Sequence, residues 1–354
     1  MPDLDEANPQ YTENGQMMES SSPLISVVIP TRLRPELVVR AVQSALNQTY
    51  SNVEVVVVVD GSDPATVRVL EKFSGAKVRI VALSENVGGS EARNVGVREA
   101  IGTWIALLDD DDEWFPEKLE KQMAMVENLS APHCLITCRR LERQAGKPDV
   151  LAPRRIPRAG EDVSEYMFYS EDGRRHTCGP QTSSYLGTKR LFLDVPFSSG
   201  LKCHQDWDWY LRATRSSAMV IAMVDEPLYI MYVEETRLRV THLAQWRRSL
   251  DWVESRKDLF TPRAYTSFLI YECMFRCEEK VGRAKNFGEL LLLCWNSGGI
   301  RTRDLLAVVK WYLFRPGVRQ RLTRYSRQLR ARLMGSDASV YSVENLEAQR
   351  GVHG

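Results

Sequence analysis

IALLDDDDEWFPEKL, residues 105–119, sets four consecutive aspartates, Asp109 to Asp112, directly behind an apolar run. Trp114, Phe115 and Pro116 follow, and a helical pattern then begins. A buried strand that ends in clustered carboxylates is unfavourable, because like charges repel and strand ends lose solvent. A divalent cation relieves both effects, and hard oxygen ligands suit Mg2+ or Mn2+, which bind diphosphates in turn. A helix N-terminus also collects acids in its first turn. That accounts for Glu113 and Asp112 but not for four acids ahead of Pro116.

Upstream of this stretch, strand and helix patterns alternate. Ile25 to Ile29 is wholly apolar and stops at Pro30, as expected of a parallel strand covered on both faces. Arg34-Pro35-Glu36 opens a helix whose Val38, Ala41, Val42 and Ala45 form one apolar stripe. Val53 to Val59 is a second strand, ending at Asp60-Gly61-Ser62. Asp63 and Pro64 are the expected N-cap and first position of the next helix. Val78 to Leu83 is a third strand, Asn86 to Ser90 a loop in which Ser90 can cap a helix over Glu91 to Ala100, and Trp104 to Leu108 a fourth strand. Four strand–helix alternations with short connections predict a doubly wound, mostly parallel α/β sheet with helices on both faces. Ligands of such sheets sit outside the carboxyl ends of the strands. Thr31-Arg32, Asp60-Gly61-Ser62 and the aspartates all lie at such ends, so three strand ends converge on one crevice. Neither a GxGxxG fingerprint nor a P-loop is present.

The 354 residues carry a net charge of +1, which argues against a dedicated nucleic-acid partner. Seven scattered cysteines read as reduced thiols, consistent with a cytoplasmic setting. Residues 1–23 are polar and acidic and read as a disordered leader without signal-peptide features. No apolar run reaches the length of a membrane span.

VVIPTRLRPELVVRAVQSALNQTY, VVVVVDGSDP and ENVGGSEARNVGVREAIGTWIALLDDDDEWFPEKLEKQ together resemble the nucleotide-sugar-binding half of inverting family 2 type glycosyltransferases with the type A (GT-A) fold. The resemblance is strong from Ser26 to Gln122 and resumes at HQDWDWYLRA. It implies a nucleotide-sugar region over 24–125 and an acceptor side over 126–240 of one catalytic domain, while the loss of strand patterns after about Leu243 marks a helical C-terminal region over 241–354. It implies donor contacts from Pro30, Thr31, Arg32, Asp60, Gly61, Asn86, Gly88, Arg93, Asp109 and Asp110, with Asp60 facing the nucleobase and Arg93 the diphosphate or the acids. By the resemblance Asp109 and Asp111 would form the DxD pair and Asp112 the foremost direct metal ligand; Asp110 is a fourth acid where the family has a small or polar residue, which leaves the assignment among Asp109, Asp111 and Asp112 open. A late histidine is a ligand in some type A enzymes, which makes His242 of RLRVTH a further candidate. The cofactor expected is Mn2+ or Mg2+, and the donor a UDP-sugar, with dTDP and GDP as alternatives. A sugar nucleotidyltransferase would share the sheet but needs a glycine-rich basic loop after the first strand, where PTRLRPE has no glycine. A non-catalytic nucleotide-sugar-binding protein would not need the acids intact.

HQDWDWYLRATR, residues 204–215, offers the general base. Asp208 has Arg212 one helical turn on, a natural surface ion pair. Asp206 has only Trp209 and Tyr210 at those spacings, and an unpaired carboxylate among aromatics titrates high, as a base should. The family places its base in a Glu-Asp pair ahead of an aromatic helix; here the pair is Gln205-Asp206. In the middle region, Lys147 to Gly160 reads as an irregular loop, and Tyr166, Phe168, Tyr169, His176, Gln181 and Thr182 are candidates for an acceptor pocket. Beyond Leu243 helical patterns take over. Arg315 to Leu333 is basic with an apolar stripe, as expected of a peripheral contact with an anionic membrane surface or, equally, of a helix packed on the catalytic domain or in an oligomer interface. A glycan or lipid-linked acceptor at the inner face of the membrane fits that tail.

Overall fold

The computed structural model describes residues 22–75, 77–126, 131–169, 179–215, 219–233, 246–274 and 283–313. Residues 1–21, His176, His242 and the basic stretch 315–333 lie outside the described residues.

The first four strands are β1 (Ile25–Thr31), β2 (Val53–Val59), β3 (Val78–Ala82) and β4 (Trp104–Leu107). They are all parallel and lie in the order β3-β2-β1-β4. The connecting helices are α1 (Pro35–Leu46), α2 (Pro64–Leu70) and α3 (Gly89–Glu99). Successive strand residues point to opposite faces. Ile25, Val27, Ile29, Val55, Val57 and Val59 therefore share one core with Val38, Ala41, Val42 and Ala45 of α1. On the other face α3 lies so close that a Cβ on Gly96 would fall 2.3 Å from Val28 Cγ1 and 3.1 Å from Val58 Cγ2. Asp63 caps α2 as expected, accepting from Thr66 N at 3.1 Å. Ser90 does not cap α3. The cap position belongs to Gly88 at φ +85°, and the Ser90 hydroxyl is buried without a partner among the described residues.

Beyond β4 the chain forms β5 (Asp112–Trp114), α4 (Lys118–Val126), β6 (His133–Arg143), β7 (Val150–Ala152), α5 (Val163–Phe168), β8 (Leu186–Thr188), α6 (Lys189–Asp194), α7 (Gln205–Ala213) and β9 (Met219–Tyr232). The sheet runs β3-β2-β1-β4-β8-β6-β9-β5, with β7 on β6. β8 is antiparallel to β4 and β6, β5 is antiparallel to β9, and β6 is parallel to β9. The α/β class and the parallel half are as the sequence indicates, whereas the remaining half is mixed. An apolar run encodes burial but not strand direction, so the periodicity after residue 126 is silent on this point. Residues 150–152, expected in an irregular loop, instead pair with Arg140–Glu142.

After β9 come α8 (Trp246–Ser255), α9 (Pro262–Phe268), a π-helical turn (Leu269–Met274) and α10 (Arg283–Asn296). They belong to the same compact unit as the sheet, which extends to Ile300; a second unit, Arg301–Gly354, contains α11 (Thr302–Leu313). No helix among the described residues is long and apolar enough to cross a membrane.

Candidate active site

The carboxyl ends of β1, β2 and β4 open into a cleft of about 510 Å3. Pro30, Thr31, Arg32, Asp60, Asn86, Gly88, Arg93, Asp109 to Asp112 and Asp206, all named from sequence, line it. Gly61 does not. It stands behind Asn86 at φ +100°, where a Cβ would lie 3.2 Å from Asn86 N, so its role is to let the two loops approach. Asp60 is buried, and its two carboxylate oxygens accept from Val87 N at 2.7 Å and Gly88 N at 3.0 Å. The loop after β3 is thus hung from the end of β2.

The four aspartates do not act alike. Asp112 N donates to Asp109 O at 3.1 Å, closing a turn between β4 and β5. This turn brings the carboxylates of Asp109, Asp111 and Asp112 within 4.8 Å of one another. Asp110 turns elsewhere, accepting from Thr31 Oγ1 at 2.8 Å and Arg34 Nη1 at 2.7 Å. Burial pushes Asp110 up to about 6 against the pull of Arg34, with the charge of Asp111 adding to the rise. Asp112 is raised well above the carboxylate range, first by burial and then by Asp111 and Asp109. Three crowded carboxylates, one of them held back from ionising by burial and by its two charged neighbours, form a donor set suited to a hard divalent cation. The residues fit a divalent cation.

Partners from distant segments hold these acids. Ser183 Oγ donates to Asp112 at 2.6 Å and accepts from Asp109 N at 3.0 Å, while Thr182 Oγ1 donates to Asp109 at 2.8 Å. Arg93 Nη2 donates to Asp109 Oδ1 at 2.5 Å, and its Nη1 donates to Gln205 Oε1 at 3.0 Å. Arg34 and Ser183 were not singled out in the sequence. A cation immediately ahead of a helix that follows β1, and the short polar run Thr182–Ser184 ahead of an apolar strand, were the available signals.

Asp206 lies half-buried in the first turn of α7 on the cleft wall. Burial raises its carboxyl to about 6, although the backbone N–H of Trp207 and the charge of Arg93 oppose the rise and that of Asp109 adds to it. Its neighbour Asp208 does pair with Arg212, but not at the surface: the carboxylate is fully buried. Of the acceptor-pocket candidates, Gln181 and Thr182 line the cleft. Tyr166 and Phe168 are buried, Phe168 in an aromatic cluster with Trp207, Phe260 and Phe268. Lys202, Cys203, His204, Met231 and Tyr232 complete this side.

The amylovoran biosynthesis glycosyltransferase AmsB of Erwinia amylovora is 28% identical over 261 residues, covering 70% of this chain and 84% of that protein. The putative colanic acid biosynthesis glycosyl transferase WcaA of Escherichia coli K12 is 26% identical over 264 residues, covering 71% and 88%. Among solved structures, residues 1–349 of TarS from S. aureus align with TM-score 0.51 and 17% identity over 83% of this chain and 92% of that one. The mannosyltransferase PcManGT of Pyrobaculum calidifontis, in complex with GDP-Man and Mn2+, aligns with TM-score 0.52 and 15% identity over 89% and 87%. These two likenesses identify the fold as GT-A. The profile of Glycosyl transferase family 2 matches residues 26–197, the segment that carries the three strand ends and the acid cluster. Residues 26–197 form a Glycosyl transferase family 2 domain, on a GT-A fold.

Proposed function

We propose that the protein transfers a sugar from a nucleoside diphosphate sugar, foremost a UDP-sugar, to a hydroxyl of a glycan or lipid-linked acceptor, with inversion at the anomeric carbon, in the synthesis of a polysaccharide. The observation that carries this reading is the pairing, in one cleft, of a cation-ready carboxylate triad with a second, separate carboxyl raised toward neutrality. The first suits a diphosphate; the second suits proton abstraction from an alcohol. The relatives named for amylovoran and colanic acid biosynthesis support the polysaccharide setting.

Asp109, Asp111 and Asp112 would hold Mn2+ or Mg2+, which when bound neutralises charge on a departing diphosphate. Thr31, Arg32 and Asp60 border the place for the nucleoside at the ends of β1 and β2. Arg93 lines the cleft beside Asp109 and sets its guanidinium charge next to the place for the diphosphate. Asp206 takes the proton of the acceptor hydroxyl, which attacks the anomeric carbon from the face opposite the leaving group. Gln181 and Thr182 border the acceptor.

The test is a screen of UDP-, dTDP- and GDP-sugars with Mn2+ by thermal shift, followed by assay of nucleoside diphosphate release. Stabilisation by one nucleotide class, together with turnover, is expected. A flat response to all of them overturns the reading. Flotation with anionic liposomes tests the membrane contact of the basic stretch 315–333, and absence of binding removes it.

A further inference from the structure

We propose that the segment Ser249–Arg256, in and just after α8, is a positioning element that fixes the first turn of α7 and thereby the carboxyl of Asp206. The inference rests on the role given to Asp206 above.

The observation is the environment of Asp208. Its carboxylate is fully buried and accepts four hydrogen bonds: from Ser198 Oγ at 2.7 Å, Arg212 Nε at 2.8 Å, Arg256 Nε at 2.7 Å and Trp252 Nε1 at 3.2 Å. One guanidinium, supplied by Arg212 on the same helix, already matches the charge. The second comes from 48 residues downstream. Setting two partly exposed arginines on one fully buried carboxylate is an inefficient route to stability, because desolvation of the carboxylate offsets much of the attraction. What such a network does supply is a single permitted arrangement of the groups it joins.

A second set of contacts reaches the same turn. His204, the residue ahead of α7, has a left-handed backbone at φ +58°, uncommon for a side chain with a Cβ. Its ring nitrogen Nε2 lies 2.9 Å from Ser249 Oγ, and the ring stacks on Trp207 at 4.7 Å and leans on Trp252 at 4.9 Å. Tyr185 donates to Asp206 O at 3.3 Å, and Arg93 holds Gln205. Asp206 therefore sits between two anchored residues, His204 and Asp208, and both anchors lead to α8. A carboxylate that must meet one proton on one acceptor loses rate steeply with displacement, by about a hundredfold per ångström. Fixing its helix from both sides of Asp206 answers that requirement.

Arg256→Gln, Arg256→Lys and Ser249→Ala in the full chain test the inference. Three quantities are read. They are calorimetric affinity for UDP with Mn2+, hydrogen exchange of the amides of residues 205–209 by mass spectrometry, and nucleoside diphosphate release from UDP-glucose, UDP-galactose, UDP-GlcNAc and GDP-mannose. For Arg256→Gln, exchange at 205–209 rises about tenfold or more and release slows by a similar factor, with donor KM and UDP affinity within about twofold of wild type. Arg256→Lys recovers both in part. If Arg256→Gln lowers the melting temperature yet leaves exchange at 205–209 and release per folded molecule at wild-type values, the segment is only structural and the inference fails. Should that variant not fold, Ser249→Ala decides, with about threefold effects of the same sign expected and wild-type exchange refuting the idea. If the wild type releases nothing from any of these donors or from dTDP-sugars, the proposed transferase function fails, while the exchange measurement still decides the positioning role.

Discussion

Arg93 Nη1 donates to Gln205 Oε1 at 3.0 Å, so the guanidinium that holds Asp109 also holds the residue preceding Asp206. One cation ties the acid cluster to the helix of the proposed base. Gly89 makes room for this pair, since a Cβ there would lie 3.2 Å from both Arg93 Nη1 and Gln205 Oε1. Gly89→Ala should leave the fold intact, because Gly89 is the first residue of α3 and its φ is not in the left-handed region that excludes alanine. It should displace the pair by a few tenths of an ångström and slow turnover about threefold to tenfold. Unaltered turnover alongside a raised melting temperature would show that this bridge has no part in catalysis.

Asp206→Asn removes a proton acceptor and little else. Turnover should fall by about a hundredfold or more, the usual contribution of a general base. Calorimetric affinity for UDP with Mn2+ should stay within about twofold of wild type. Turnover at the wild-type rate would exclude Asp206 as the base.

The raised carboxyl of Asp206 also fixes a pH dependence. The base works only when ionised, so kcat/KM should fall on the acid side through about pH 6. The folded state holds this proton more tightly than the unfolded chain, whose value is 3.8. Asp206 is therefore neutral to stability below pH 3.8 and destabilising as pH rises through 6. Asp206→Asn should stabilise the protein at pH 7.5 by roughly 1–2 kcal/mol, discounted for the group's opening to the cleft. The gain should vanish near pH 4. Denaturant unfolding at the two pH values checks this, and an equal effect at both would contradict the burial of the carboxyl.

Metal dependence should concentrate in three of the four aspartates. Asp112→Asn, and likewise Asp111→Asn, should remove the enhancement of UDP binding by Mn2+. Asp110→Asn should retain it, because Asp110 is engaged by Thr31 and Arg34 outside the triad. Equal UDP affinity with Mn2+ and with EDTA in the wild type would sink the metal site altogether.

Gly96→Ala tests the seam between α3 and the sheet. The added methyl meets Val28 Cγ1 at 2.3 Å and Val58 Cγ2 at 3.1 Å, and both are β-branched side chains fixed in the core. Overpacking of this kind costs about 1–3 kcal/mol, more than the helix gains from alanine. A shift of the denaturant midpoint to lower concentration is expected. An unchanged midpoint would mean that α3 stands further from β1 and β2.

The sequence alone determined the parallel half of the sheet, the strand ends that converge on the cleft, and the acids gathered there. Those features are written in local patterns: apolar runs that stop at polar residues, helices that start at Asp63-Pro64, and four adjacent aspartates. Only the tertiary structure decided that Asp110 leaves the cluster, that Ser183 and Thr182 hold it, and that Asp208 is a buried clamp rather than a surface pair. The physical reason is range. Periodicity links residues a few positions apart, whereas Ser183 meets Asp112 across 71 residues and Arg256 meets Asp208 across 48. Contacts of that kind exist only once the chain has packed, and the direction of β8 and β5 is fixed by the same packing.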